Sequence, residues 1–200
     1  MRIVSWAIAF VAFPIFVSAP MSATAQDWLE YENRDYGFAI NFPSEPTFED
    51  REYVSPTGET LPARVFTSTE GDAIYKVTVV DFSSRPGEQH IAVSHAADAM
   101  RASGEVIYEA ISDLDEIYGP QFYIFTEDQR EKLSTIVFYR ENLLIAEGRV
   151  PQGSAPPSQF QQSMGLVNAD GTRPTGVNED RIARQKAFEE ERARQLREQQ

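Results

Sequence analysis

The chain has 200 residues, of which 42% are hydrophobic and 12% aromatic, with no cysteine and a formal net charge of −13. That apolar content supports a packed core rather than disorder. The missing thiols exclude disulfide stapling, thiol catalysis and cysteine-ligated metals. Residues 26–177 carry 25 acidic and 11 basic side chains, whereas residues 178–200 carry 6 of each. An acidic body disfavours nucleic acid and anionic lipid, both of which need clustered Lys and Arg.

The chain opens with Arg2, an apolar run over residues 3–19 interrupted by Pro14, and the small-residue triplet Ala23-Thr24-Ala25. This is the pattern of an export signal, residues 1–25, cleaved after Ala25; the run is barely long enough to span a bilayer and leads straight into the cleavage site, which favours cleavage over permanent anchoring. No cysteine follows it, so a lipid-modified N-terminus is excluded. The remainder is long enough for one domain and too short for two full ones.

Residues 30–42 read as two strands around a turn at Asn33-Arg34-Asp35, with Phe38, Ile40 and Phe42 alternating. Pro43 and Pro46 stop the second strand, since neither can donate to a ladder. Strands follow at 48–54, 61–68 and 73–82, separated by Ser55-Pro56-Thr57-Gly58 and Glu70-Gly71-Asp72, and together these pairs predict one antiparallel meander. The period then changes. Residues 88–103 place Ala92, Ala96, Ala99 and Met100 on one helical face, with Gly104 as the C-terminal stop. Strands return at 105–111, 121–126, 133–139 and 143–150, and residues 151–157 form a loop. A short helix from Pro156-Pro157-Ser158 carries Phe160 and Met164, and Gly165 ends it. The two helices are expected to cover opposite faces of one sheet, an α+β fold.

Residues 169–177 have linker composition, with Asp170-Gly171, Pro174 and Gly176. Residues 178–200 lack Gly and Pro and are rich in Glu, Arg and Gln, the composition of a solvated helical or disordered tail. Ile182, Phe188 and Leu196 miss a heptad stripe, so a coiled-coil seam is weak.

The string Tyr36-Gly37-Phe38-Ala39-Ile40-Asn41-Phe42-Pro43-Ser44-Glu45-Pro46 resembles the opening strand of the PsbP/Mog1-like superfamily. The order of elements over residues 28–168, and the closing Phe160-Gln161-Gln162-Ser163, resemble that superfamily too, most of all its uncharacterised exported bacterial members. The resemblance implies an α/β/α sandwich over residues 26–168 and a binding or assembly role. Read physically, the same residues are structural: Gly37 serves a turn, Phe38 and Phe42 fill the core, and Phe160 anchors a helix. With the export signal, the resemblance implies a periplasmic protein, with secretion to the medium as the other destination.

Candidate chemistry is sparse. His90 and His95 lie five apart on the predicted helix and point to different sides, unlike the i, i+4 spacing of a helical zinc site. Asp113-Leu114-Asp115-Glu116 and Asn168-Ala169-Asp170-Gly171 echo calcium-loop fragments but lack the remaining ligands, and both read as turns. No nucleophile elbow, phosphate loop or dinucleotide fingerprint is present. No catalytic, metal or cofactor residues are assigned, and ligand-binding residues stay open. The first functional expectation is a non-enzymatic accessory factor binding an unidentified envelope protein, without nucleic acid and without stable membrane insertion. The alternative is a small-ligand carrier with a pocket between the sheet and the 88–103 helix, lined by Tyr75, Tyr108 and Phe125.

Overall fold

The computed structural model describes residues 28–174; the export segment and the 178–200 tail lie outside the described residues. β1 (Leu29–Asn33) and β2 (Phe38–Phe42) form an antiparallel hairpin, in which Gly37 takes φ 82° and donates its N–H to the Asn33 carbonyl at 2.9 Å. A Cβ there would strike the Tyr139 ring at 2.9 Å, so both the positive φ and the close approach select glycine.

This hairpin does not join the meander expected after it. β2 is the middle strand of a separate three-stranded sheet, ordered β1-β2-β10, where β10 is Gly165–Leu166. There β2 is covered on both faces: Phe38, Ala39, Ile40 and Phe42 are all at most 1% exposed. Gly165 therefore does more than end a helix, because it opens the strand that closes this small sheet.

β3 (Thr47–Val54), β4 (Thr60–Glu70) and β5 (Ala73–Asp81) meander as predicted. α1 (Gln89–Arg101) then carries the chain to the far edge, and β6 (Gly104–Leu114), β7 (Ile117–Thr126), β8 (Arg130–Tyr139) and β9 (Asn142–Pro151) return by hairpins. The seven-stranded sheet is ordered β3-β4-β5-β9-β8-β7-β6, antiparallel throughout. β6 and β7 extend beyond their predicted ends to a tight turn at Asp115 and Glu116, with φ 52° and 65°. Two consecutive positive φ values match the twist of a two-residue hairpin.

Alternation along the central strands sorts two cores. Tyr75, Val77, Val79, Val137, Leu144 and Ala146 face the small sheet and α2 (Ser158–Gln162). Val80, Phe82, Ile136, Leu143 and Ile145 face α1. The described fold is thus mostly antiparallel β, two sheets with two small helices. One face carries a helix, while the other carries the small sheet with the five-residue α2 beside it, rather than a helical layer alone.

Aromatic contacts bind the layers. Phe66 of β4 meets Tyr31, Tyr36 and Phe38 at ring centroid distances of 5.7, 5.9 and 5.4 Å, and Phe160 meets Phe42 and Tyr75 at 5.2 and 5.3 Å. Such pairs add about 0.5–1.5 kcal/mol each beyond area burial.

The α1 face buries Ala92, Ala96, Ala97 and Met100; Ala97, not the predicted Ala99, completes the stripe. Its C-terminus is held by a buried lysine. Ser103 Oγ donates to the Met100 carbonyl and accepts from Lys132 Nζ, each at 2.7 Å, and Lys132 is ion-paired with Glu147 at 3.7 Å. A cation near a helix C-terminus is favourable, and pairing offsets the cost of burying it. Gly104 is not the helix cap. It opens β6, where a Cβ would lie 2.2 Å from the Phe125 carbonyl, so close strand approach is what selects glycine.

Two stability outcomes follow. Phe66→Ala lowers unfolding free energy by about 3–5 kcal/mol by opening the intersheet seam. Gly104→Ala costs about 1–3 kcal/mol by forcing β6 from β7. Urea denaturation midpoints measure both, and wild-type midpoints in either variant would contradict these packing assignments.

Candidate functional site at the β3 edge

β3 is one edge of the seven-stranded sheet, and every residue of it except Tyr53 is exposed. It pairs with β4 in an unbroken eight-residue register, and among the described residues no strand pairs with its other side. The opposite edge, β6, also exposes apolar side chains: Ile107, Tyr108 and Ile111. A bulge between Val106 and Tyr108 breaks its regular template, a common way of blunting an edge.

What distinguishes β3 is an aromatic–arginine cluster on the face it shares with the small sheet. Phe48 is 60% exposed and sits opposite Phe66 across the ladder, 6.0 Å between ring centroids. Arg64 of β4 places its guanidinium 4.6 Å from the Phe48 ring centre and 5.8 Å from that of Tyr36. Arg64 Nε donates to Asp50 Oδ1 at 2.7 Å, across the Asp50–Arg64 register pair. That hydrogen bond holds the Asp50 carboxyl below its ordinary range and pushes the Arg64 guanidinium up. The pair is solvent-exposed, so its effect is to orient Arg64 rather than to stabilise the fold greatly.

Beside the cluster lies a cleft of about 300 Å³ lined by Tyr36, Asp50, Pro62, Arg64, Val79 and Asp81. Tyr36 comes from the β1–β2 turn and the others from the large sheet, so the cleft exists only where the two sheets meet. Two carboxylates and one guanidinium leave it net negative.

The sequence-derived candidates sit elsewhere. Tyr75 is buried in the core beneath the small sheet, with Trp28 and Phe160 against it. Phe125 neighbours Ile124 along β7, and Tyr108 pairs with Tyr123, so both point away from the α1 face. The pocket expected between the sheet and the 88–103 helix therefore cannot be lined by these three aromatics. That interface is instead filled by alanines and Met100 against Phe122, Ile124 and Ile136.

His90 is exposed, and His95 packs its ring edge-on to Tyr53 at 6.0 Å. Asp113 Oδ1 accepts the Glu116 N–H at 2.8 Å, and Asp170 Oδ1 accepts the Thr172 N–H and hydroxyl at 2.9 and 2.7 Å. Those bonds lower the Asp170 carboxyl and mark both acidic segments as turns. Among the described residues, no group of three or more His, Asp or Glu side chains is placed to hold a metal ion.

Ser103 and Lys132 lie within hydrogen-bond reach, but the serine proton is committed to a carbonyl and the lysine to Glu147. Tyr123 is pushed up to about 12 by burial and by its hydrogen bond to Glu131, whose other oxygen accepts the Gly153 N–H. That group fastens a loop.

Half of the β3 cluster was readable from the chain: the Ser55–Gly58 turn sets a register that places Asp50 opposite Arg64. Tyr36 arrives from another sheet, and no local signal announces it.

Among solved structures, the chain is similar to cyanobacterial PsbP from Synechocystis sp. PCC 6803, with 16% identity and a TM-score of 0.41, covering 68% of this chain and 86% of that one. No protein-family model matches the sequence, and no curated protein does.

A depressed carboxyl pKa means that the Asp50–Arg64 pair persists above the ordinary aspartate value of 3.8 and is lost as pH falls through the lowered one. In a carbon-detected NMR titration, Asp50 protonates at lower pH in the wild type than in Arg64→Gln. Identical midpoints in the two proteins would remove the ion pair from the site.

Proposed function

We propose that this chain is an exported, non-enzymatic accessory factor of the periplasm that binds a protein partner by accepting an extended segment along β3. The observation that carries the reading is the exposed, unbulged β3 edge flanked by Phe48, Arg64 and Tyr36. In strand addition, main-chain hydrogen bonds supply affinity and neighbouring side chains supply specificity. Aromatic and arginine side chains are the usual energetic anchors of protein interfaces.

Several features support the remaining parts of the reading. The Arg2-to-Ala25 pattern supports export and signal cleavage. The resemblance of residues 36–46 to PsbP/Mog1-like proteins supports a binding or assembly role, and it supports an α/β/α sandwich with α1 on one side and α2 on the other. The acidic body argues against nucleic acid, and no helix among the described residues is long and apolar enough to cross a membrane. The charged 178–200 tail is a second contact in this proposal.

The test is site-specific photo-crosslinking in the native envelope from position 52, in the full chain, in Phe48→Ala and in a chain ending at Val177. A discrete protein adduct is expected from the full chain. Loss of an anchor worth about 2 kcal/mol weakens binding roughly 30-fold, so Phe48→Ala depletes the adduct. Truncation at Val177 alone depleting it would locate the main contact in the tail, and no reproducible adduct from any form would overturn the reading.

A further inference from the structure

We infer that the segment accepted by β3 is basic, with the pattern apolar-x-basic-x-basic-x-apolar; this rests on the strand-addition reading above. Side chains on an added strand stand beside β3 residues on the same face of the sheet. On the face toward the small sheet those are Phe48, Asp50, Glu52 and Val54. Phe48 and Val54 are each 60% exposed and bracket the two carboxylates. An incoming strand therefore meets an apolar site, an acid, an acid and an apolar site at every second position. Reversing the strand direction leaves this pattern unchanged, so the inference holds for parallel or antiparallel addition.

The other face adds little selection. Glu49 and Arg51 pair with each other at 2.6 Å and cancel, leaving Thr47 and Tyr53. Asp50, by contrast, opens onto the cleft with Asp81 and Tyr36. Arg64 occupies one Asp50 oxygen, and the carboxylate retains acceptor capacity for a second cation. A lysine or arginine opposite Asp50 thus faces a carboxylate at the rim of a net negative cleft, a setting that favours it through charge.

The same charges disfavour a second copy of this chain as the occupant. Glu49, Asp50, Arg51 and Glu52 sum to −2, and pairing two β3 edges would place two such segments side by side. Like charges directly opposite destabilise a ladder.

The test selects from a displayed library of extended ten-residue peptides on the full chain and scores binders by hydrogen-exchange protection of residues 47–54. Binders that protect β3 are expected to carry Lys or Arg two positions apart, flanked by apolar residues. Replacing both basic residues of a selected peptide with Gln weakens binding about 2- to 30-fold, the range for two cross-strand charge pairs. The Glu52→Lys, Asp81→Lys double variant should shift selection toward acidic peptides. Binders that protect β3 without basic preference would overturn this inference and leave strand addition standing. Absence of any binder protecting β3 would overturn both.

Discussion

The contact on which the arrangement depends is Phe66 seated beneath the small sheet. Its ring is 2% exposed and touches Tyr31, Tyr36 and Phe38 from above and Phe48 from the side. Because side chains alternate along β4, burying Phe66 also decides where Arg64 stands, two residues back on the same face. Arg64 is left at the rim under Tyr36, where the guanidinium can lie over rings that the core has already oriented. The cleft and the exposed Phe48 are consequences of where the small sheet stops covering the large one.

An edge strand this open is a liability unless something limits what pairs with it. On β3 the limit is charge, with four charged residues in a row from Glu49 to Arg51 and Glu52, and on β6 it is a bulge. The two devices differ in what they permit. A bulge removes regular hydrogen-bonding positions for any incoming strand, whereas a net acidic run disfavours acidic segments and tolerates complementary ones. The edge blunted by charge is therefore the one that retains selectivity.

Three polar groups inside the described fold serve its architecture. Lys132 closes the end of α1, Glu131 ties Tyr123 to the Gly153 loop, and Tyr139 Oη donates to Asn168 Oδ1 at 2.6 Å to pin the returning chain. Each has its hydrogen-bonding capacity directed at neighbouring protein groups rather than into a cleft.

By itself the sequence determined the local elements: alternation marked β3, β4, β5 and the returning strands, helical spacing marked α1, and Asp115-Glu116 lay at a turn. These depend on neighbours within a few residues, so composition and period reveal them. Tertiary structure decided what required distant partners. β2 left the meander to become the middle strand of a second sheet, buried on both faces, and the two-residue β10 is a strand only because β2 lies beside it. Ala97 rather than Ala99 turned inward because the sheet sets the rotation of α1. Tyr75, Tyr108 and Phe125 looked alike along the chain, yet one is core and two point away from the helix they were expected to face. The β3 site has the same divided origin: Asp50 and Arg64 meet through the register of a single hairpin, while Tyr36 joins them only because burial of Phe66 draws a second sheet over the first.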